Sequence, residues 1–151
     1  MATAQPGELR LEITRRLSAP PPVVFRACTE PEELAKWWGP EGFTTASVEL
    51  DLRVGGSYRI AMQPPDGELF HLTGQFTQID PRERLAYTFR WEPADPDDLE
   101  NLVTLTFRDA HGATEVLLDH GPFATEERRA LHDDGWSESL ERLEAVVSPR
   151  P

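Results

Sequence analysis

Residues 101–147 read NLVTLTFRDAHGATEVLLDHGPFATEERRALHDDGWSESLERLEAVV, and their apolar period changes midway. As far as residue 120 the period is two. Val103, Leu105 and Phe107 alternate with polar neighbours, and after a turn at His111-Gly112 so do Thr114, Val116, Leu118 and His120. That alternation predicts two antiparallel strands with one wet face. Beyond Thr125 the period lengthens. His132, Trp136, Leu140, Leu143 and Val147 fall at helical spacing and form one stripe of an amphipathic helix. Thr125 suits its N-cap, and Glu126 and Glu127 behind it meet the positive end of the helix dipole. Pro149 ends the helix. Gly135 inside it costs about 1 kcal/mol against alanine; it permits close approach, of the sheet or of a bound molecule, with close packing the simpler expectation.

Upstream of this stretch the strand pattern repeats. Val48, Leu50 and Leu52 precede a Gly55-Gly56 turn, and Tyr58, Ile60 and Met62 precede Pro64-Pro65-Asp66-Gly67. Phe70, Leu72, Gly74 and Phe76 are closed by Asp80-Pro81; Leu85, Tyr87, Phe89 and Trp91 lead into an acidic loop, EPADPDDLE. Evenly spaced strands joined by turn residues form a meander. Residues 9–17, LRLEITRRL, make one more strand, with Leu9, Leu11, Ile13 and Leu17 on one parity. Ser18 and the prolines at 20–22 then open a short helix, VVFRACT, because proline suits the first helical turn. Pro31 with Glu32 and Glu33 opens a second, running to Trp37 and Trp38 and stopped by Gly39-Pro40. The order is β-α-α-β-β-β-β-β-β-α, an α+β arrangement. An antiparallel sheet with an apolar face needs a cover, and the only element long enough is the last helix. A curved sheet wrapped on one helix leaves a gap that side chains fill or a ligand occupies.

The chain has 151 residues, 38% hydrophobic, which is enough for one domain with a sizeable core. Residues 1–8 are expected to be a disordered N-terminus, 9–147 the domain and 148–151 a tail. Fifteen Lys and Arg against 27 Asp and Glu leave a formal charge of −12, which repels phosphate backbones and anionic bilayers. Neither nucleic acid nor membrane is expected as a partner. The single cysteine, Cys28, excludes an internal disulfide and multi-cysteine metal sites. No apolar run approaches the roughly 18 residues of a membrane span, and the first residues lack a signal-peptide core, so a cytoplasmic protein is expected.

The ordered set of local motifs resembles the activator of Hsp-90 ATPase homologue-like group of small bacterial proteins, in the START-like (SRPBCC) superfamily. The residues that carry the likeness begin with Ala19-Pro20, Val24-Phe25, Thr29-Glu30-Pro31-Glu32, Leu34 and Trp37-Trp38. They continue through Asp51, Arg53, Gly55-Gly56, Gly74, Ile79-Asp80-Pro81, Leu85, Trp91, Gly135-Trp136 and Leu140. The likeness runs from about residue 9 to 147. It implies the helix-grip (START-like, Bet v-like) fold, with an apolar cavity between a curved antiparallel sheet and the long C-terminal helix. It does not imply one reaction, since the superfamily includes lipid carriers, hormone receptors and polyketide cyclases. The eukaryotic namesake stimulates a chaperone ATPase with the help of an additional domain for which this length leaves no room, so a chaperone partner is not the expectation.

By parity, the residues expected to line such a cavity are Trp38, Phe43, Met62, Phe70, Phe89, Trp91, Phe123, Trp136 and Leu140, each of which could equally be ordinary core. His120 and His132 could both turn toward one interior, hydrogen-bonding a ligand or acting as acid and base near neutral pH, with a satisfied or half-exposed histidine the simpler expectation for each. His71 is expected to face solvent, and His111 lies in a turn. The resemblance implies that Asp51 and Arg53 form an ion pair bracing the glycine turn. The acidic run Asp95, Asp97, Asp98, Glu100 lacks the spacing and central glycine of a calcium loop and reads as a solvated hairpin tip. No metal or cofactor is expected. Three readings follow: a non-enzymatic binder of a hydrophobic, aromatic or lipid-like small molecule; a cyclase- or dehydratase-type enzyme using His120 and His132; and an interaction module, chaperone-related or a homodimer through a sheet face, against which the alternating charges argue.

Overall fold

The computed structural model describes residues 9–39, 42–92 and 100–148. The expected N-terminal disorder, the acidic tip at 93–99 and residues 149–151 of the tail lie outside them. Ten elements follow in the expected order: β1 (Leu9–Leu17), α1 (Pro21–Thr29), α2 (Pro31–Trp37), β2 (Thr44–Leu50), β3 (Ser57–Gln63), β4 (Phe70–Asp80), β5 (Arg84–Glu92), β6 (Asn101–Ala110), β7 (Ala113–Phe123) and α3 (Glu126–Val147). The strands form one antiparallel sheet in the order β1-β7-β6-β5-β4-β3-β2. β2 to β7 are therefore a meander, and β1 closes the far edge beside β7. The pair α1–α2 carries the chain from one edge of the sheet to the other. Register shifts at Leu9/Leu11, Thr45/Ser47 and Phe76/Gln78 interrupt the ladders, and such bulges bend strands and help the sheet to curve.

Local chemistry sets the helix ends. Pro21 and Pro22 occupy the first turn of α1, so that helix starts two residues before the VVFRACT segment. In α3 the Thr125 hydroxyl accepts from the Arg128 N–H at 3.1 Å, as its capping role requires, and Ser148 closes the other end. Trp136, Leu140, Leu143 and Val147 are all buried, which is the expected stripe. Arg142, on the flank of α3, donates to the carbonyls of Gly39 and Lys36 and so fastens the end of α2. Trp37 is anchored by its indole N–H on the Ala27 carbonyl at 2.9 Å.

One strand boundary departs from the expectation. Leu52 does not continue the apolar parity of Val48 and Leu50: β2 ends at Leu50, and Leu52 is 42% exposed. The backbone turns there because the Asp51 carbonyl accepts from Arg53 N–H and the Arg53 carbonyl from Gly56 N–H, which breaks the two-residue period. Gly55 supplies the positive φ of this turn, and the exposed Asp51–Arg53 pair at 2.6 Å braces it, worth about 0–1 kcal/mol. Cys28 is a buried core residue whose thiol is pushed up to about 12 by desolvation, which leaves it inert.

At Gly74 the close approach of three strands requires a bare Cα. The β4–β5 ladder skips from Thr73–Arg90 to Phe76–Tyr87, and the Tyr58 hydroxyl on β3 reaches over to donate to the Thr88 carbonyl at 2.6 Å. A Cβ at Gly74 would stand 2.0 Å from that carbonyl oxygen and 2.7 Å from the Tyr58 ring. Gly74→Ala is expected to destabilise the fold by about 2–4 kcal/mol, read as a lower urea midpoint. An unchanged midpoint would show that the three strands are not locked at this point.

Candidate functional site

A cavity of about 400 Å³ lies between α3 and the sheet. Helix α3 contributes Arg128, Leu131, His132, Gly135, Trp136 and Ser139, successive positions on one helical face. The sheet contributes Met62 from β3, Phe70 from β4, and Phe89 and Trp91 from β5. The third wall is the connection after α2, with Trp38, Gly39 and Phe43, held by the Arg142 contacts described above. Exposure falls along the helix. Leu131 is 58% exposed, whereas Trp136 and Ser139 are each 5% exposed, so the mouth lies near Arg128 and Leu131 and the closed end near Ser139 and Met62. A larger hollow, about 810 Å³, lies on the outer face of the sheet, but Glu49, Asp51, Arg59, Arg90 and Glu92 make it a wetted face of mixed charge.

Two tryptophan–histidine pairs tie α3 to the sheet beside the cavity. Trp136 donates its indole N–H to His120 Nδ1 at 2.9 Å. The other nitrogen, Nε2, lies 2.9 Å from Asn101 Oδ1, while Asn101 Nδ2 donates to the Pro122 carbonyl at 2.9 Å. The amide orientation thus fixes His120 as the neutral tautomer with its proton on Nε2. In the second pair Trp91 donates to His132 Nε2 at 2.9 Å, and His132 Nδ1–H donates to the Arg128 carbonyl one turn earlier at 2.7 Å. The rings of His120 and His132 meet edge to face, 5.4 Å between centroids. All four ring nitrogens are engaged within the protein.

The structure brings Trp38, Phe43, Met62, Phe70, Phe89, Trp91, His132 and Trp136 to the cavity wall. It does not bring His120, Phe123 or Leu140 there. His120 is 0% exposed and stands behind Trp136 and Phe89; Phe123 packs against both histidines; Leu140 is core one turn beyond Trp136. Parity had missed Gly39, Arg128, Leu131 and Ser139, while Gly135, expected to serve close packing, is part of the wall. Arg128 and Ser139 share the helical face of His132 and Trp136, so helical spacing alone could have found them; their polarity concealed them. His71 is half-buried on β4, not exposed. Among the described residues no group of three or more His, Cys, Asp or Glu could hold a metal ion, and no helix is long and apolar enough to cross a membrane.

Burial holds the His120 imidazole well below its usual 6.5, with smaller contributions from His132 and Arg10. Below about pH 6.5 the unfolded chain therefore takes up a proton that the folded protein refuses. Stability is complete above that pH and falls below it, by about 1.4 kcal/mol per pH unit for this one group. Urea titrations at pH 7.5, 6.0 and 5.0 should show a steeper acid loss in the wild type than in His120→Gln. Equal losses would mean that His120 is not held neutral.

The model of the family described as Activator of Hsp90 ATPase homolog 1-like protein matches residues 18–148. No curated protein matches the chain. Among solved structures, protein CV1439 from Chromobacterium violaceum is 31% identical with a TM-score of 0.86, over 93% of this chain and 98% of that one. Protein NE0264 from Nitrosomonas europaea is 28% identical with a TM-score of 0.79, over 94% and 96%. The AHSA1 protein SPO3351 from Silicibacter pomeroyi is 29% identical with a TM-score of 0.77, over 90% and 95%. Strand order, the long covering helix and a match across nearly the whole chain agree: the chain belongs to the Activator of Hsp90 ATPase homolog 1-like family, with its START-like fold.

Proposed function

We propose that the protein is a cytoplasmic binder of a hydrophobic or aromatic small molecule, lipid-like ligands included, held in the cavity between the sheet and α3, and that it carries out no reaction there. The observation that carries this reading is the wall itself: about 400 Å³ of space, with eight of its thirteen lining residues Trp, Phe, Met or Leu. Ligand sites of small molecules run from about 300 to 1,000 Å³ with few polar groups among apolar ones. Of the wall groups that could hydrogen-bond, the Trp91 indole N–H is paired with His132, the Trp136 indole N–H with His120 behind the wall, and His132 Nδ1–H with the Arg128 carbonyl. A ligand there is recognised by shape and apolar contact.

The acid–base alternative has less to stand on. A general base must reach a substrate proton, directly or through one water. His120 is walled off from the cavity, and His132 presents no unengaged nitrogen to it. Among the described residues the large exposed apolar side chains are Val23, Leu52, Val54, Leu69 and Leu131, which gives a chaperone-related or dimeric interaction module little support.

Ser139→Leu projects a larger side chain into the closed end. The neutral fluorophore N-phenyl-1-naphthylamine is expected to bind the wild type with enhanced emission, and the leucine variant at least about tenfold more weakly. Circular dichroism confirms that both are folded. No binding to the wild type, or equal binding to both, would overturn the assignment.

A further inference from the structure

Five polar side chains are buried among the described residues: Thr29, Asn101, Thr114, His120 and Ser139. Four of them have partners. Thr29 donates to the Phe25 carbonyl at 2.8 Å and Thr114 to the Ala19 carbonyl at 2.7 Å, while Asn101 and His120 bond to each other and onward to Pro122 and Trp136. Ser139 is the exception. It is 5% exposed, yet its hydroxyl makes no hydrogen bond to any described residue, not even the bond to the carbonyl one turn earlier that Thr29 and Ser148 make. Nor is the oxygen sealed in packed core; the open space beside it is the closed end of the cavity. An unpaired hydroxyl in such a place destabilises the free protein, and serine is also a poorer helix former than alanine. Helix formation and packing therefore give no reason for a serine here, whereas a bound molecule does.

We propose that Ser139 is the polar anchor of the cavity, and that the ligand is an elongated apolar or aromatic molecule whose inserted end carries a neutral oxygen, as a hydroxyl or a carbonyl. This rests on the cavity being the ligand site, as proposed above, and adds one directional contact to recognition by shape. A serine hydroxyl both donates and accepts and rotates to suit, so it serves either group. Trp38, which packs edge to face on Trp136 in the same wall, also has an indole N–H with no acceptor among the described residues, and an oxygen is what such a donor takes. An ionised group is disfavoured at this depth. The neighbouring wall residues Met62, Trp38, Gly39 and Trp136 carry no charge, so an ion would lose its hydration with nothing charged among them to replace it. From the exposed Leu131 to Ser139 is eight residues, roughly 12 Å of helix at 1.5 Å per residue, the reach of two linked aromatic rings.

The test displaces N-phenyl-1-naphthylamine at pH 7.5 with 4-phenylphenol, 4-acetylbiphenyl and 4-methylbiphenyl, which share one apolar body and differ in the oxygen. Wild type and Ser139→Ala are compared, each calibrated with its own affinity for the fluorophore. Ser139→Ala is expected to weaken at least one of the two oxygen-bearing probes about fivefold, the usual scale of one neutral hydrogen bond, and to leave 4-methylbiphenyl unchanged. Weakening of the acetyl probe makes Ser139 the donor; weakening of the phenol alone makes it the acceptor. Equal effects on all three probes, or none, overturn the anchor. If 4-methylbiphenyl binds the wild type and Ser139→Ala shows no such selectivity, the cavity stands and only the anchor falls. If no probe and no fluorophore binds the wild type, both fall. A second measurement needs no ligand: the urea midpoint of free Ser139→Ala should match or exceed that of the wild type. A lower midpoint would show that the hydroxyl is already bonded within the free protein, and would overturn the anchor.

Discussion

A buried indole N–H must find an acceptor, and in this protein that requirement fixes how far the long helix stands from the sheet. Trp136 projects from α3 and donates to His120 on β7; His120 passes the constraint to Asn101 on β6, and Asn101 to the Pro122 carbonyl. Hydrogen bonds have a narrow distance range, so this chain of three works as a strut of defined length. Apolar contact alone would favour closing the gap, since packed interiors are denser than any arrangement with a void. The Trp91–His132 pair makes a second strut one turn earlier on α3. Between them helix and sheet cannot collapse without leaving buried polar groups unpaired, at roughly 1–3 kcal/mol each.

The struts sit in a continuous lattice of rings. From Phe43 the contacts pass through Phe70, Trp91, Phe89, His120, Trp136 and Trp38 to Trp37, with centroid separations of 4.4–6.2 Å at every step. All seven are tilted or edge-to-face, the arrangements that the ring quadrupole favours. Rings have few rotatable bonds, so a wall built this way loses little freedom when a ligand enters. Preorganisation of that kind raises affinity without adding contacts. Met62 at the closed end is the adaptable exception, able to follow small differences in ligand shape.

The architecture was legible because each element obeys its period for a physical reason. Strand parity on β5 placed Phe89 and Trp91 on the inner face, and the stripe on α3 placed Trp136, Leu140, Leu143 and Val147. The limit of such reading is equally physical. A period says which way a side chain points, not what it meets there. Leu140 and Trp136 share one stripe, yet one ends in packed core and the other at a void. His120 points inward as expected but stops behind Trp136, because the depth of the interior depends on contacts between residues distant in sequence. Arg128 and Ser139 were invisible to a hydropathy pattern for the opposite reason: they lie on the inward face and are polar. Leu52 misled because its turn is set by backbone hydrogen bonds, which leave little trace in side-chain alternation.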